Sequence, residues 1–468
     1  ADTLGSRSTA IGHGALQTQN FTSATDSYNT AVGHSAGLAV TTGVQNTLIG
    51  GLAGDAITTG NINTAVGYNS LGANTTGTQN VAVGANALDA NTTGSNNVAV
   101  GEKALTTNTT AGDNTALGDN TLQLNTTGAN NVAVGSLALD ANTTASNNTA
   151  VGFASLGANT TGANNNAFGK NSMRDNTTGA DNVAMGENSL LSNTTASDNT
   201  AIGSNALQQN TTGTKNAAFG KDSGKAITTG DQNTAFGARS LQAATTPSHN
   251  TAIGEATLYT NTTGANNTAV GSQALSANTS GVRNVAVGHQ AMLRNTTGDF
   301  NTAIGRDALL NNTTADSNIA IGYGSLYQNT TGASNVAIGY NCLDANTTGV
   351  NNTAVGDLSL GACTTGYENT TVGKWAGAAI TTGYHNVIIG HRTSYEANGT
   401  TTGINNTIIG AFARPSSAGA GNELVIGRYA LAQGTNTGTI GIDGNGVHIA
   451  LNNSTTSWSK HSDERLKE

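Results

Sequence analysis

The sequence is short of nearly everything that marks an enzyme, a membrane protein or a disulfide-stapled domain. It has two cysteines in 468 residues, Cys342 and Cys363. They occupy different positions of the repeat described below, so a disulfide is possible but unsupported, and stability does not come from a disulfide framework. Proline is nearly as rare, with two, and aromatic residues make up 4%. Charged residues are 10% of the chain, the net charge is −9, and no basic stripe is visible. That argues against nucleic-acid binding. No apolar run approaches the length needed to cross a bilayer as a helix, so no membrane insertion is expected. The opening ADTLGSRSTA has neither the basic start nor the apolar core of a signal peptide. A chain that begins without Met is expected to be a processed or truncated piece.

Recognisable reaction chemistry is also missing. The histidines (His13, His34, His249, His289, His385, His391, His448, His461) are scattered, and none has metal-ligand spacing to a carboxylate or cysteine. Asp140, Asp175 and Asp344 do not form the nine-residue calcium repeat. Asp181 and Asp198 stand one period apart and could approach each other, but a solvated surface accounts for them. The glycines belong to turns, because no helix follows them to cradle a phosphate. No nucleophile stands beside a base. The expectation is a non-enzyme with no cofactor and no metal.

What the chain has is a repeat. A clean copy, NTAVGYNSLGANTTGTQ, starts at Asn63, and its counterparts start at Asn80, Asn97 and Asn114. The step of 17 residues holds without a slip from Asn29 to Asn386, giving twenty-two consecutive copies. A Gly-rich polar composition can mean disorder, but a fixed period with short apolar runs means a stacked solenoid. Numbering the columns from Asn63, the repeat is carried by Asn63 (column 1), Ala65 (3), Val66 (4), Gly67 (5), Leu71 (9) and Asn74 (12).

Column 5 is Gly in every one of these copies, Gly33 through Gly390. A position that admits only Gly needs positive φ or close backbone approach. Column 15 is usually Gly but accepts Ala111, Ala145, Ala196, Ala315 and Pro247. Proline holds φ near −65°, so this turn does not need positive φ. Columns 2 to 4 suit a short strand, with column 3 (Ala) and column 4 (Val, Ile, Leu, Met or Phe) on opposite faces. A strand apolar on both faces is buried on both. A second strand over columns 7 to 9, such as Asn86-Ala87-Leu88, would cover one face, and the other face then requires a partner chain. Where the column-9 Leu is lost, column 12 gains a large side chain: Gly37 with Val40, Gly54 with Ile57, Gly224 with Ile227, Gly377 with Ile380. Volume is conserved, as a packed interior demands. Asn and Thr at columns 1 and 12 to 14 are corner residues that bond neighbouring backbone and would stack into ladders. They also spell glycosylation sequons, such as Asn74-Thr75-Thr76; turn chemistry explains them.

The expected organisation is a divergent N-terminal coil and loop over 1–28, a regular solenoid over 29–405 and irregular last coils over 406–431. A β-hairpin cap follows over 432–461, then a C-terminal stub over 462–468. The fold class is all-β, a parallel β-roll or β-solenoid of 17-residue coils. At one inter-strand spacing per coil, ~4.8 Å, the regular part makes a rod of roughly 100 Å.

The repeat Asn-Thr-Ala-Val-Gly-x-x-Ala resembles the head repeat of trimeric autotransporter adhesins of the YadA type, Asn-Ser-Val-Ala-Ile-Gly-x-x-Ser. The resemblance spans roughly Ser8 to Gly427 and implies a left-handed β-roll assembled as a parallel homotrimer. The adhesin repeat is shorter, and Asn-Thr-Thr looks like an inserted corner. The adhesin's coiled-coil stalk and membrane anchor have no counterpart in this sequence. The last residues, Ser462-Asp463-Glu464-Arg465-Leu466-Lys467, are similar to the opening of the endosialidase-type intramolecular chaperone, Ser-Asp-x-Arg-Leu-Lys, which follows trimeric bacteriophage fibres and cleaves itself off. That resemblance places an autocleavage junction at Ser462 and Asp463. Together the two imply a virion tail fibre, extracellular, whose partners are its own copies, a host cell-surface glycan or protein receptor, and other tail or surface proteins. A bacterial surface adhesin is the alternative, and a glycan-degrading tailspike the second.

Overall fold

The computed structural model describes residues 4–395, 401–443, 445–450 and 459–460. The chain falls into two units, Ala1–Asn233 and Thr234–Glu468, and each is a parallel β-solenoid built from the same coil. Among the described residues there is no helix.

Each coil contributes one three-residue strand at columns 2 to 4. In chain order, β1 is Gly5–Ser6, β2 is Thr9–Ile11 and β3 is Thr25–Asp26. Strands β4 (Thr30–Val32) to β27 (Leu424–Ile426) follow, one per coil, then β28 (Thr437–Ile442), β29 (Asn445–Ala450) and β30 (Ser459–Lys460). Pairing is parallel and in strict register: Ala133 lies beside Ala150, and Ala150 beside Ala167. In the first unit the imperfect copy at Ser8 is a genuine coil, since Thr9–Ile11 pairs with Thr30–Val32. The loop before Asn29 is not irregular throughout, because β3 pairs with β1. In the second unit β28 continues the parallel sheet from β27, then turns back through Asp443 to pair antiparallel with β29.

Strand alternation decides which side chains enter the coil. Column 3 points in: Ala65, Ala82 and Ala99 are fully enclosed, as are Leu71, Leu88 and Leu105 of column 9. Column 4 points out, with Phe236 55% exposed and Met185 42%.

The expected second strand over columns 7 to 9 is not there. Residues 85–90 form consecutive tight turns, with Ala87 N–H donating to Gly84 O (3.3 Å) and Asn91 N–H to Leu88 O (3.3 Å). Columns 7 and 9 are left-handed: Asn86 has φ 56° and Leu88 φ 53°. The two residues bond in opposite directions. Asn86 N–H reaches back to Tyr68 O at 3.0 Å, and Leu88 N–H forward to Ala104 O at 2.9 Å. A left-handed Leu costs ~1–2 kcal/mol, and these inter-coil hydrogen bonds, with burial of the leucine, offset it.

The two glycine columns differ as expected. Gly67 has φ 139°, and a Cβ there would lie 2.6 Å from the carbonyl oxygen of Gly84 in the next coil, so positive φ and close approach both apply. Gly77 in column 15 is not left-handed, though a Cβ would sit 2.3 Å from Gly94 O. Sister coils show how alanine fits there. In glycine coils the column-14 N–H donates to the column-13 carbonyl of the next coil, as from Thr76 to Thr92 O (3.3 Å) or Thr93 to Thr109 O (3.4 Å). At Thr110, Thr144, Thr195 and Thr314, each followed by alanine, that bond is not formed.

The corner residues form the expected ladders. Column-1 asparagines are buried; the Asn63 backbone N–H donates to Asn46 Oδ1 (3.0 Å) while its own amide reaches Gly77 O (3.0 Å). In column 12, Asn91 Nδ2 donates to Asn74 Oδ1 (2.9 Å), and the pattern runs unbroken to Asn210 in the first unit. A second run joins Asn261 to Asn346 in the other unit. Each run ends in an orphan: Asn210 Oδ1 and Asn346 Oδ1 are buried without a partner, because the next coil carries Ile227 or Cys363 in place of the donor. Threonine hydroxyls of column 13 add a third ladder, Thr75 Oγ1 to Thr92 O at 3.1 Å. The sequon asparagines are therefore interior hydrogen-bonding groups. Cys342 and Cys363 are free and enclosed, and burial pushes each thiol up to about 12.

A candidate ligand-binding face

The structure places all six repeat residues named from the sequence in one coil, where each does a packing or hydrogen-bonding job. Asn63, Ala65, Leu71 and Asn74 are enclosed, Gly67 makes the turn, and Val66 faces outward, half-buried. Ser462 and Asp463, the expected junction, lie outside the described residues. Asp181 accepts a hydrogen bond from Asn164 (3.1 Å) on an exposed corner. Among the described residues no group of three or more His, Cys, Asp or Glu side chains is placed to hold a metal ion, and no helix is long and apolar enough to cross a membrane.

Two surfaces stand out from this regular background. The first is the outward face of the strands. Columns 2 and 4 carry Thr, Val, Ile, Leu, Met and Phe, with Asn166 and Ala217 once each and no charge, and every coil of each unit adds to the stripe. Ile253, Ile304 and Ile338 are 39%, 39% and 37% exposed in the second unit, and Met185 and Phe168 42% and 38% in the first.

The second surface follows the column-5 turn, on the run formed by columns 6 to 10, and is confined to the second unit. Here the aromatic poverty of the chain reverses. The Trp375 ring carries two cations: Arg392 Cζ lies 4.4 Å and Lys374 Nζ 4.5 Å from its centroid. Arg392 also stacks on Tyr395 at 5.4 Å. One coil further, Phe412 and Tyr429 stack at 4.7 Å with planes 4° apart. Lys374 is paired with Asp357 at 2.9 Å. Arg392 has no carboxylate within salt-bridge reach among the described residues, and its Nε is buried without a hydrogen-bond partner.

These side chains border three hollows in series. Asp307, Tyr323, Tyr327, Asn341 and Asp344 line the first. Asp344, Leu358, Trp375 and Tyr395 line the second. Arg392, Tyr395, Phe412, Arg414 and Tyr429 line the third, a shallow opening. Neighbours share a wall, first Asp344 and then Tyr395. Burial raises the Asp344 carboxyl from its ordinary value, partly opposed by backbone hydrogen bonds. At the far end Asp307 Oδ1 is buried without a partner, its other oxygen held by Arg306 at 3.2 Å.

Sequence reasoning missed this face. The available signal was composition within one column: positions 375, 392, 412 and 429 are Trp, Arg, Phe and Tyr, where earlier coils mostly carry Asn, Gln, Asp or Ala. A site in a repeat protein is where a column departs from its own habit. No protein-family model matches the chain, and no curated protein or solved structure matches it either.

Proposed function

We propose that the chain is the shaft and receptor-binding part of a trimeric fibre, acting outside the cell as a bacteriophage tail fibre attached to a host surface. The observation that carries this reading is the uncharged, outward-facing stripe of columns 2 and 4. Exposed apolar surface continuous over many coils marks an interaction site. Its repeat selects the partner. The stripe advances by one strand spacing, about 4.8 Å, per coil, and a surface that matches it coil after coil has the same pitch, as a second and third copy of this chain do. Three copies is the number implied by the adhesin-type motif. The chaperone-like Ser462-Asp463 segment favours a virion fibre over a bacterial adhesin, the alternative reading.

Mass photometry of the soluble chain tests the assembly; the expected mass is three times 46.6 kDa, and a stable monomer refutes it. The complete reading frame decides between fibre and adhesin, by whether a chaperone domain or a coiled coil with a barrel anchor follows Glu468. If the chaperone is there, the full product yields two fragments without added protease, and Ser462→Ala slows the cut. Release of reducing ends from host polysaccharide would instead support a glycan-degrading tailspike.

A further inference from the structure

We infer that the three linked hollows of the second unit form a track for an extended acidic oligosaccharide, with a sugar carboxylate at Arg392 and sugar rings beside Tyr395 and Tyr429. The inference rests on the surface-binding reading above and names its site and ligand class.

Four features select this chemistry. First, Tyr395 and Tyr429, 38% and 39% exposed at the third hollow, offer flat apolar surface, and the C–H face of a pyranose is the apolar side of an otherwise polar ligand. The aromatic side chain combines such a face with rigid, low-entropy contact. Second, Arg392 is a cation without a counter-ion among the described residues. Its guanidinium lies against Trp375 and Tyr395, and its Nε has no partner. Stacking holds the fork in place, and a planar guanidinium matches a carboxylate through two parallel hydrogen bonds. Third, the opposite end supplies acceptors. Asp307 Oδ1 is buried and unpaired, and Asp344 borders two of the hollows. Carboxylates accept hydrogen bonds from sugar hydroxyls but repel a sugar acid, so the ligand's charge is directed to the Arg392 end. Fourth, the hollows share walls and follow the coil stack. Coils rise by about 4.8 Å, close to the length of one sugar residue in an extended chain, so successive units meet successive coils.

The track lies on the run after the column-5 turn, whereas the apolar stripe lies on the strand before it. Assembly through the stripe leaves the track open, and a trimer displays three copies. Multivalent display multiplies a weak single-site affinity when a polysaccharide spans more than one copy.

The test uses the full chain carrying Trp458→Phe, which leaves Trp375 as the only tryptophan. Its emission is followed during titration with aldotetraouronic acid and aldotriouronic acid, each a neutral oligosaccharide carrying a single glucuronate, and with the methyl ester of aldotetraouronic acid. The expected result is a saturable change with at least one of the two acids and binding of the ester weaker by about tenfold or more. Arg392→Gln abolishes the response, whereas Arg392→Lys keeps part of it, because a charge remains without the bidentate fork. No saturable change with either acid, or equal binding of acid and ester, overturns the inference. Unchanged binding by Arg392→Gln does so as well. Circular dichroism and mass photometry of each variant separate loss of the site from loss of the fold or the assembly. If Arg392→Gln remains assembled and adsorbs to host cells as before, the track is refuted while the fibre reading stands.

Discussion

Gly54 stands where the column-9 leucine would be, and Leu48 occupies the space that leucine would need. A Cβ on Gly54 would lie 2.8 Å from Leu48 Cδ2 and 2.7 Å from Ile57 Cδ1. The exchange therefore involves three columns. Leu48 is a large residue in the alanine column, Ile57 a large residue in the asparagine column, and the glycine makes room for both. Gly377 repeats the arrangement, with Thr371 Cγ2 at 2.9 Å and Ile380 Cδ1 at 3.3 Å. Fixed interior volume links columns that are distant along the chain.

This makes a coupling measurable at Gly224 and Ile227. A Cβ at Gly224 would meet Ile227 Cδ1 at 3.1 Å and Leu207 Cδ2 at 3.0 Å. Gly224→Leu alone overpacks the coil, at a cost of about 1–3 kcal/mol. Ile227→Asn alone opens a cavity while giving Asn210 Oδ1 a donor. The double variant restores the common coil and extends the ladder. Its destabilisation, from chemical unfolding, is expected to fall below the sum of the singles by about 0.5–3 kcal/mol. Strict additivity removes the packing account.

The glycine columns should respond differently to alanine. Gly67→Ala combines φ 139° with a carbonyl 2.6 Å from the new Cβ, and strain of this kind costs about 1–3 kcal/mol. Gly77→Ala should cost no more than one weak hydrogen bond, about 0.5–1.5 kcal/mol. Amide exchange locates the effect: Thr76 loses protection in Gly77→Ala, and Thr144 gains it in Ala145→Gly. Equal destabilisation by Gly67→Ala and Gly77→Ala would contradict the distinction.

Glu423 takes the column-1 place usually held by asparagine and is 2% exposed. Its backbone N–H still donates to Asn406 Oδ1 at 3.0 Å. Burial raises the carboxyl pKa, partly opposed by hydrogen bonds from Ser416. A carboxyl raised in the folded state contributes stability that is complete below the unfolded pKa and is lost as pH rises through the folded one. Glu423→Gln should therefore raise the thermal midpoint at neutral pH. The gain should vanish near pH 3.5, below the ordinary Glu value of about 4.3. A gain that grows toward acid would reverse the assignment.

Charge placed in the apolar stripe would separate folding from the proposed assembly. Ile253 and Ile304 point outward and are each 39% exposed. Ile253→Lys with Ile304→Lys should leave the β circular-dichroism spectrum unchanged, because the lysines reach solvent in a single chain. The mass should drop to that of one chain, since an unpaired buried charge costs several kcal/mol. A persistent trimer shows that the stripe is not the contact.

The sequence by itself determined the period, the strand, the two kinds of glycine turn and the volume exchange. Each depends on a property that every coil must satisfy alone: steric permission at Gly67, a φ compatible with Pro247, constant volume at Gly224 and Ile227. The conformation of columns 7 to 9 was decided only by tertiary structure. Asn86 and Leu88 are left-handed because hydrogen bonds to the coils on either side offset a local penalty, and leucine carries no sign of that in its own preferences. The asparagines common in column 7 were the one local hint, since Asn tolerates that region. The direction of the strand faces also waited for the structure. Alternation puts columns 3 and 4 on opposite sides, but which enters the coil depends on where Leu71 and its counterparts pack. The aromatic cluster was invisible for the same reason. Trp375 and Tyr395 are twenty residues apart in the chain, and stacking one coil on the next brings their rings to 5.4 Å.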